Sequence, residues 1–232
     1  MGAVKLYKYL DFNGGLMMLY HSNLQFTNAT QLNDPFDCHP SLIDFSNVPK
    51  EACGGWTPEI IEELRRDPFR RTREEVWICS LSKIHDSILM WSYYSKHKGI
   101  CVGLDMEKAQ KFLSRIYGKI MISCSVVEVQ YKDIVEKPDY FRDAKDFFHY
   151  QLSTKAKAWE HEQEVRLFIL DPWPTYMSLL PRQNDDKGPI DWKEVRAFSE
   201  IGGECFESVY LGINMDTDEE SKIISVARKL NP

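Results

Sequence analysis

The chain is poor in the features that most directly announce a function. Across its 232 residues no apolar stretch approaches the roughly 18 residues needed to span a membrane. The opening "MGAVKLYKYL" lacks the basic-then-apolar layout of a secretory leader, and Leu6 stands where a myristoylation signal needs Ser or Thr, so a cytoplasmic protein without membrane attachment is expected. None of the six cysteines forms a C-x-x-C pair, and Cys79, Cys101 and Cys124 lie in apolar runs, as buried reduced thiols do. The six histidines show no H-x-x-x-H spacing, which argues against zinc. G-x-x-x-x-G-K, G-x-G-x-x-G and G-x-S-x-G are all missing, so phosphate-loop, dinucleotide-fold and serine-hydrolase readings fail. There is no internal repeat and no low-complexity tract.

What is present suits a globular protein: 43% hydrophobic residues and 28% charged. The net charge of −6 gives no global attraction to nucleic acid. The one basic concentration, Arg65, Arg66, Arg70, Arg71 and Arg73, is flanked by Glu62, Glu63, Glu74 and Glu75. It reads as a solvated helix face or, alternatively, as a nucleic-acid contact.

Strands are expected at 4–9, 76–82, 99–105, 119–131, 194–199 and 207–213, from their β-rich composition. Helices are expected after Thr57-Pro58, after a break at Pro68, from about Asp86, over 106–118, over 138–158 and over the last residues after Asp216 or Thr217. The stripe Phe141, Ala144, Phe148, Leu152 and Ala156 supports a long helix at 138–158. Residues 171–190 read as loop, the only candidate linker. Strands and helices mix without a regular βαβ rhythm. The expected fold is therefore α+β, a single domain over 1–232 with a mixed, mainly antiparallel sheet and flanking helices.

The stretch "AWEHEQEVRLFIL" (158–170) carries Glu160, Glu162, Glu164 and Arg166 at the period of a strand, which places all four on one face. Such a row is either a solvated sheet face or the wall of a site. Glu160, at a helix–strand junction, is the expected bystander. Asn33-Asp34-Pro35-Phe36 reads as a turn or a ligand contact. Trp91 reads as core or as a stacking platform, and Lys155 as an exposed helix lysine or a phosphate ligand.

Five stretches, "LYKYLDF", "LNDPFDCHP", "CSLS" with "MWSYYSKHKGICVGLD", "KAKAWEHEQEVRLF" and "ESVYLGI", together resemble the bacterial and phage family catalogued as domain of unknown function 2971. The layout is similar, more distantly, to mono-ADP-ribosyltransferases of the Arg-Ser-Glu type. That likeness rests on Ser80-Leu81-Ser82 and on Glu162-Gln163-Glu164; the early strand offers Tyr7, Lys8 and Tyr9 in place of an arginine. The resemblance implies NAD as substrate and a toxin or phage-defence effector with a protein or nucleic-acid acceptor. In it Glu164 stabilises the sugar cation and Glu162 serves the acceptor. Ser80, Ser82, Tyr7, Lys8, Tyr9, Asn33, Asp34, Trp91, Lys155 and Arg166 line the cofactor. Two other readings compete. One is a magnesium-dependent nuclease or phosphoesterase using Asp34, Asp37, Glu162 and Glu164 with Lys155 on phosphate. The other is a non-catalytic binding protein with an acidic face.

Overall fold

The computed structural model describes residues 4–49, 56–63, 73, 75–118, 124–170 and 196–230. Its strands are β1 (Lys5–Leu10), β2 (Asn23–Asn28), β3 (Val76–Ser82), β4 (Ile100–Asp105), β5 (Cys124–Glu128), β6 (Gln130–Lys132), β7 (Thr154–Ala156), β8 (Glu164–Leu170), β9 (Arg196–Glu200) and β10 (Phe206–Leu211). Its helices are α1 (Phe12–His21), α2 (Ile88–Ser95), α3 (Met106–Gly118), α4 (Phe147–Ser153) and α5 (Thr217–Leu230).

Local chemistry sets the helix ends. The Asp11 carboxylate accepts from Gly14 N at 2.7 Å and starts α1. Ser87 caps α2, one residue later than the sequence suggests. Asp216 accepts from Asp218 N and opens α5, whose first turn is acidic and last turn basic, as the helix dipole favours. Thr57 accepts from Ile60 N at 3.3 Å ahead of the helical residues 58–63. The helix expected beyond Pro68, the arginines at 65, 66, 70 and 71, Cys53 and the 171–190 loop lie outside the described residues. Arg73 donates to the Pro35 carbonyl at 3.4 Å.

Eight strands form one sheet in which every pairing is antiparallel, while β6 and β7 make a small parallel pair of their own. This is the α+β fold the sequence implies. The sheet forks at β3. One edge of β3 pairs with β8 along its whole length, from Val76↔Leu170 to Ser82↔Glu164. The other edge is shared. Its Ser82 end meets β1 at Tyr7, and its Trp77–Ile78 end meets β2 at Asn28 and Thr27. Cys79, Ser80 and Leu81 have no register partner on that edge. A buried strand carbonyl left unpaired is costly, and the Lys8 ammonium supplies the missing donor, 2.8 Å from Ser80 O.

The main apolar core covers one face of the sheet. Leu24, Phe26, Trp77, Leu81, Val102, Leu104, Val165 and Leu167 pack there against Leu19, Leu113 and Ile223 from the helices. Alternation along β3 and β8 sends Ser80, Ser82, Glu164 and Arg166 to the opposite face. A smaller apolar cluster there includes Ile78, Val127 and Leu152.

Two expectations need correction. The long helix at 138–158 is only α4, Phe147–Ser153. The chain extends from Thr154 into β7, so Lys155 is a buried strand residue and not an exposed helical one. The row of period-two charges is not one strand either. Residues Lys157–Glu162 form a 3₁₀ turn, Gln163 is left-handed with φ 42°, and β8 begins at Glu164. Described cysteines are all free, and burial pushes the Cys38 thiol up to about 12, as for an inert core thiol. No helix among the described residues is long and apolar enough to cross a membrane.

Candidate functional site

The site sits where the sheet forks. A cleft of about 200 Å³ is lined by Tyr7, Lys8 and Tyr9 of β1, Ser80 and Ser82 of β3, and Asn33, Asp37, Tyr94, Lys155, Glu162 and Glu164. Its floor is a buried ion cluster. Relative exposures of 3% for Glu162, 5% for Glu164, 4% for Lys155 and 0% for Arg166 exclude a solvated sheet face.

Arg166 holds the cluster from behind. Its Nη1 and Nη2 donate to the two Asp37 oxygens at 2.8 and 2.6 Å. Its Nε and Nη2 donate to the two Glu164 oxygens, each at 2.9 Å. The fifth donor is spent on Leu152 O, also at 2.9 Å. A guanidinium has the fork geometry this requires; an ammonium does not. Lys155 closes the front, with Nζ 2.6 Å from Glu162, 3.3 Å from Glu164 and 3.5 Å from Asp37. The Trp159 ring covers that ammonium at 4.8 Å.

Three carboxylates face two cations, so within the cluster one negative charge is uncompensated. Burial alone would raise the Glu164 carboxyl, but Arg166 and Lys155 outweigh it and hold it down at about 2. Burial likewise works against a charged Lys155, and Glu164, Asp37 and Glu162 more than offset it, pushing the ammonium above its ordinary range. Arg166 stays charged for the same reason.

The two glutamates have different surroundings. Glu164 accepts twice from Arg166 and once from Lys155, so most of its acceptor positions are taken. Its amide is also fixed, donating to the Tyr131 hydroxyl at 2.8 Å. Glu162 accepts one hydrogen bond at each oxygen, from the Tyr94 phenol and from Lys155. Spare acceptor capacity remains on both. Asn33 Nδ2 donates to the same Tyr94 oxygen at 3.1 Å, so a chain Asn33–Tyr94–Glu162 spans three separate motifs. Burial and then the Glu162 charge push the Tyr94 hydroxyl above its usual range, which keeps it a donor.

Nine of the twelve residues singled out by sequence line this cleft: Tyr7, Lys8, Tyr9, Asn33, Ser80, Ser82, Lys155, Glu162 and Glu164. Ser82 spends its hydroxyl on the backbone, donating to Glu162 O at 2.7 Å and tying the 3₁₀ turn to β3. Three do not line it. Asp34 accepts from Phe36 N at 2.9 Å and makes the turn. Trp91 is packed edge-on against Tyr9 and donates to His85 O at 2.9 Å. Arg166 lies behind the carboxylates. Glu160 is exposed, as expected. Sequence reasoning missed Tyr94 altogether and weighed Asp37 only as a magnesium ligand. Both lie inside quoted motifs, "MWSYYS" and "LNDPFD".

Residues 90–167 match the model of a family described as "Protein of unknown function (DUF2971)". The match spans about a third of the chain. The matched segment supplies Tyr94, Lys155, Glu162, Glu164 and Arg166, and so most of the ion cluster; Asp37, Asn33 and the β1 wall come from the chain ahead of it. No curated protein and no solved structure matches the chain.

Proposed function

We propose that the forked cleft binds an NAD-type nucleotide and breaks its nicotinamide–ribose bond, as an ADP-ribosyltransferase or NAD glycohydrolase. The observation that carries this reading is the unequal glutamate pair. Loss of neutral nicotinamide from C1′ builds positive charge on the ribose. A preorganised carboxylate lowers that barrier without reorganising. Glu162 faces the cleft with acceptor capacity left for a ribose hydroxyl, inside a cluster carrying one unbalanced negative charge. Glu164 is held ionised behind it by Arg166. In this reading Glu162 touches the ribosyl group, Glu164 sets the field, and Lys155 and Tyr94 position Glu162. Water or an acceptor nucleophile then forms the new bond to C1′ and gives up its proton. The cleft is smaller than the roughly 300–1,000 Å³ of ordinary ligand pockets. It takes the reacting end of the dinucleotide, with the half-buried Tyr7 in its wall available to the nicotinamide ring.

The magnesium reading has less support. Hard cations need open carboxylate oxygens, whereas Lys155 already stands where Asp37, Glu162 and Glu164 converge, and Asp34 is used by its turn. An acidic docking face also has less support, because the glutamates are recessed in a cleft.

The test is nicotinamide release from NAD by the purified chain. Wild type is expected to release nicotinamide, and Glu162→Gln to slow release by about 100-fold. No release by wild type, or equal release by both, rejects the reading.

A further inference from the structure

A second cavity, of about 170 Å³, lies along the same fork between β1 and β2. It is lined among others by Lys8, Asn13, Asn23, Gln25 and Arg196. Lys8 is a wall of both cavities. Gln25, in the second, donates to Thr27, in the first, at 3.3 Å. Arg196 is the cross-strand partner of Thr27. The two cavities therefore follow one track along the widening gap between the strands.

Their charge is opposite. The first ends at three carboxylates. The second has two cations, Lys8 and Arg196, and neither has an acidic partner among the described residues; the hydrogen bond of Lys8 goes to a carbonyl. The side-chain amides of Asn13, Asn23 and Gln25 add donors. The one acid in its wall, Asp11, is engaged in capping α1. Lysine and arginine elsewhere in the fork are matched by carboxylates within 4 Å, so this unmatched pair stands apart.

We propose that the Lys8–Arg196 cavity is an anion subsite that takes the phosphate of a ligand whose other end lies at the Glu162 pole. This rests on the reading of the first cleft for the ligand's far end, but not for the anion itself. The two N–H donors that Lys8 keeps beyond Ser80 O, the Arg196 guanidinium and the amide donors can bond a phosphate group from several directions.

The probe is inorganic pyrophosphate, followed on the full chain by calorimetric titration at fixed ionic strength, in wild type and in Arg196→Gln. Arg196 is exposed on β9, so the fold tolerates the change. Arg228→Gln, on the exposed face of α5, controls for general loss of positive charge. Pyrophosphate is expected to bind wild type and the Arg228 variant equally, and Arg196→Gln at least tenfold more weakly. No binding to wild type, or equal binding by all three, overturns the subsite. Pyrophosphate binding needs no glycosidic chemistry. A chain that binds pyrophosphate through Arg196 but releases no nicotinamide would keep the subsite and reject only the NAD reading.

Discussion

Arg166 grips both oxygens of Asp37 across 129 residues of sequence, at 2.8 and 2.6 Å, with both side chains out of contact with water. The pair fastens the loop after β2 to the centre of β8. It brings the "NDPFD" motif and the glutamate motif to the same point.

Arg166→Met removes the cation but leaves Asp37 and Glu164 buried. Breaking one side of a buried ion cluster typically costs about 3–5 kcal/mol. Urea unfolding should show a loss of that size, and Arg166→Lys should recover only part of it, since an ammonium cannot serve both carboxylates in a fork. An unfolding midpoint unchanged in Arg166→Met would show that the cluster does not hold the fold.

The depressed Glu164 carboxyl makes stability depend on acid. Its folded value of about 2 lies below the ordinary 4.5, so the unfolded chain binds the proton more readily. The contribution is complete above about pH 4.5 and is lost as pH falls toward 2. Melting temperatures measured across that range should fall with pH in wild type. In Glu164→Gln the slope should be shallower.

Tyr94→Phe deletes the donor to Glu162, and Asn33→Ala deletes the amide that holds the Tyr94 oxygen. Each should cost about 1 kcal/mol of stability. Since both act through one phenol, the double variant should lose less than the sum. Additive losses would mean that the three residues do not form a chain. Where nicotinamide release is observed, Tyr94→Phe should lower it by mispositioning Glu162.

Gly99 ends the motif "MWSYYSKHKG", and a side chain there would collide with the Leu10 carbonyl at the end of β1. Its own amide and carbonyl are also committed, to Ser95 O and Gly212 N. Gly99→Ala should destabilise by about 1–3 kcal/mol through forced backbone displacement. Thermal unfolding checks this, and a neutral result would show that β1 can yield.

Much of the frame was legible because its patterns are local. The runs at 76–82 and 99–105 read as strands and are β3 and β4, and Asp216 and Thr57 sit where helix starts need them. The misread segments are those where local pattern and tertiary contact disagree. Phe148, Leu152 and Ala156 keep helical spacing, but the ion cluster draws Lys155 inward, and the chain extends from Thr154 to reach it. Glu162 and Glu164 keep strand spacing, but the left-handed Gln163 sits between them. That joint is invisible to periodicity, and it gives the glutamates their different roles. Tyr94 was missed because an aromatic in "MWSYYS" fits a helix packed on the core, and only the fold brings its hydroxyl to Glu162. The sequence did carry the cleft's membership, since motifs spread from Tyr7 to Glu164 held nine of its lining residues.

The fork in β3 has a further consequence for how a ligand is admitted. The cleft mouth is cut from hydrogen-bonded sheet: β1 and β2 diverge from the same edge, and the Lys8–Ser80 bond keeps the notch open. An aperture of this kind is already in shape before anything arrives, so little binding energy is lost to ordering it. Its width follows from where β1 and β2 leave β3, at Tyr7 and at Thr27. Selection between ligands would then be by rigid gauge, with thickness of the entering group decided by the spacing of two strands.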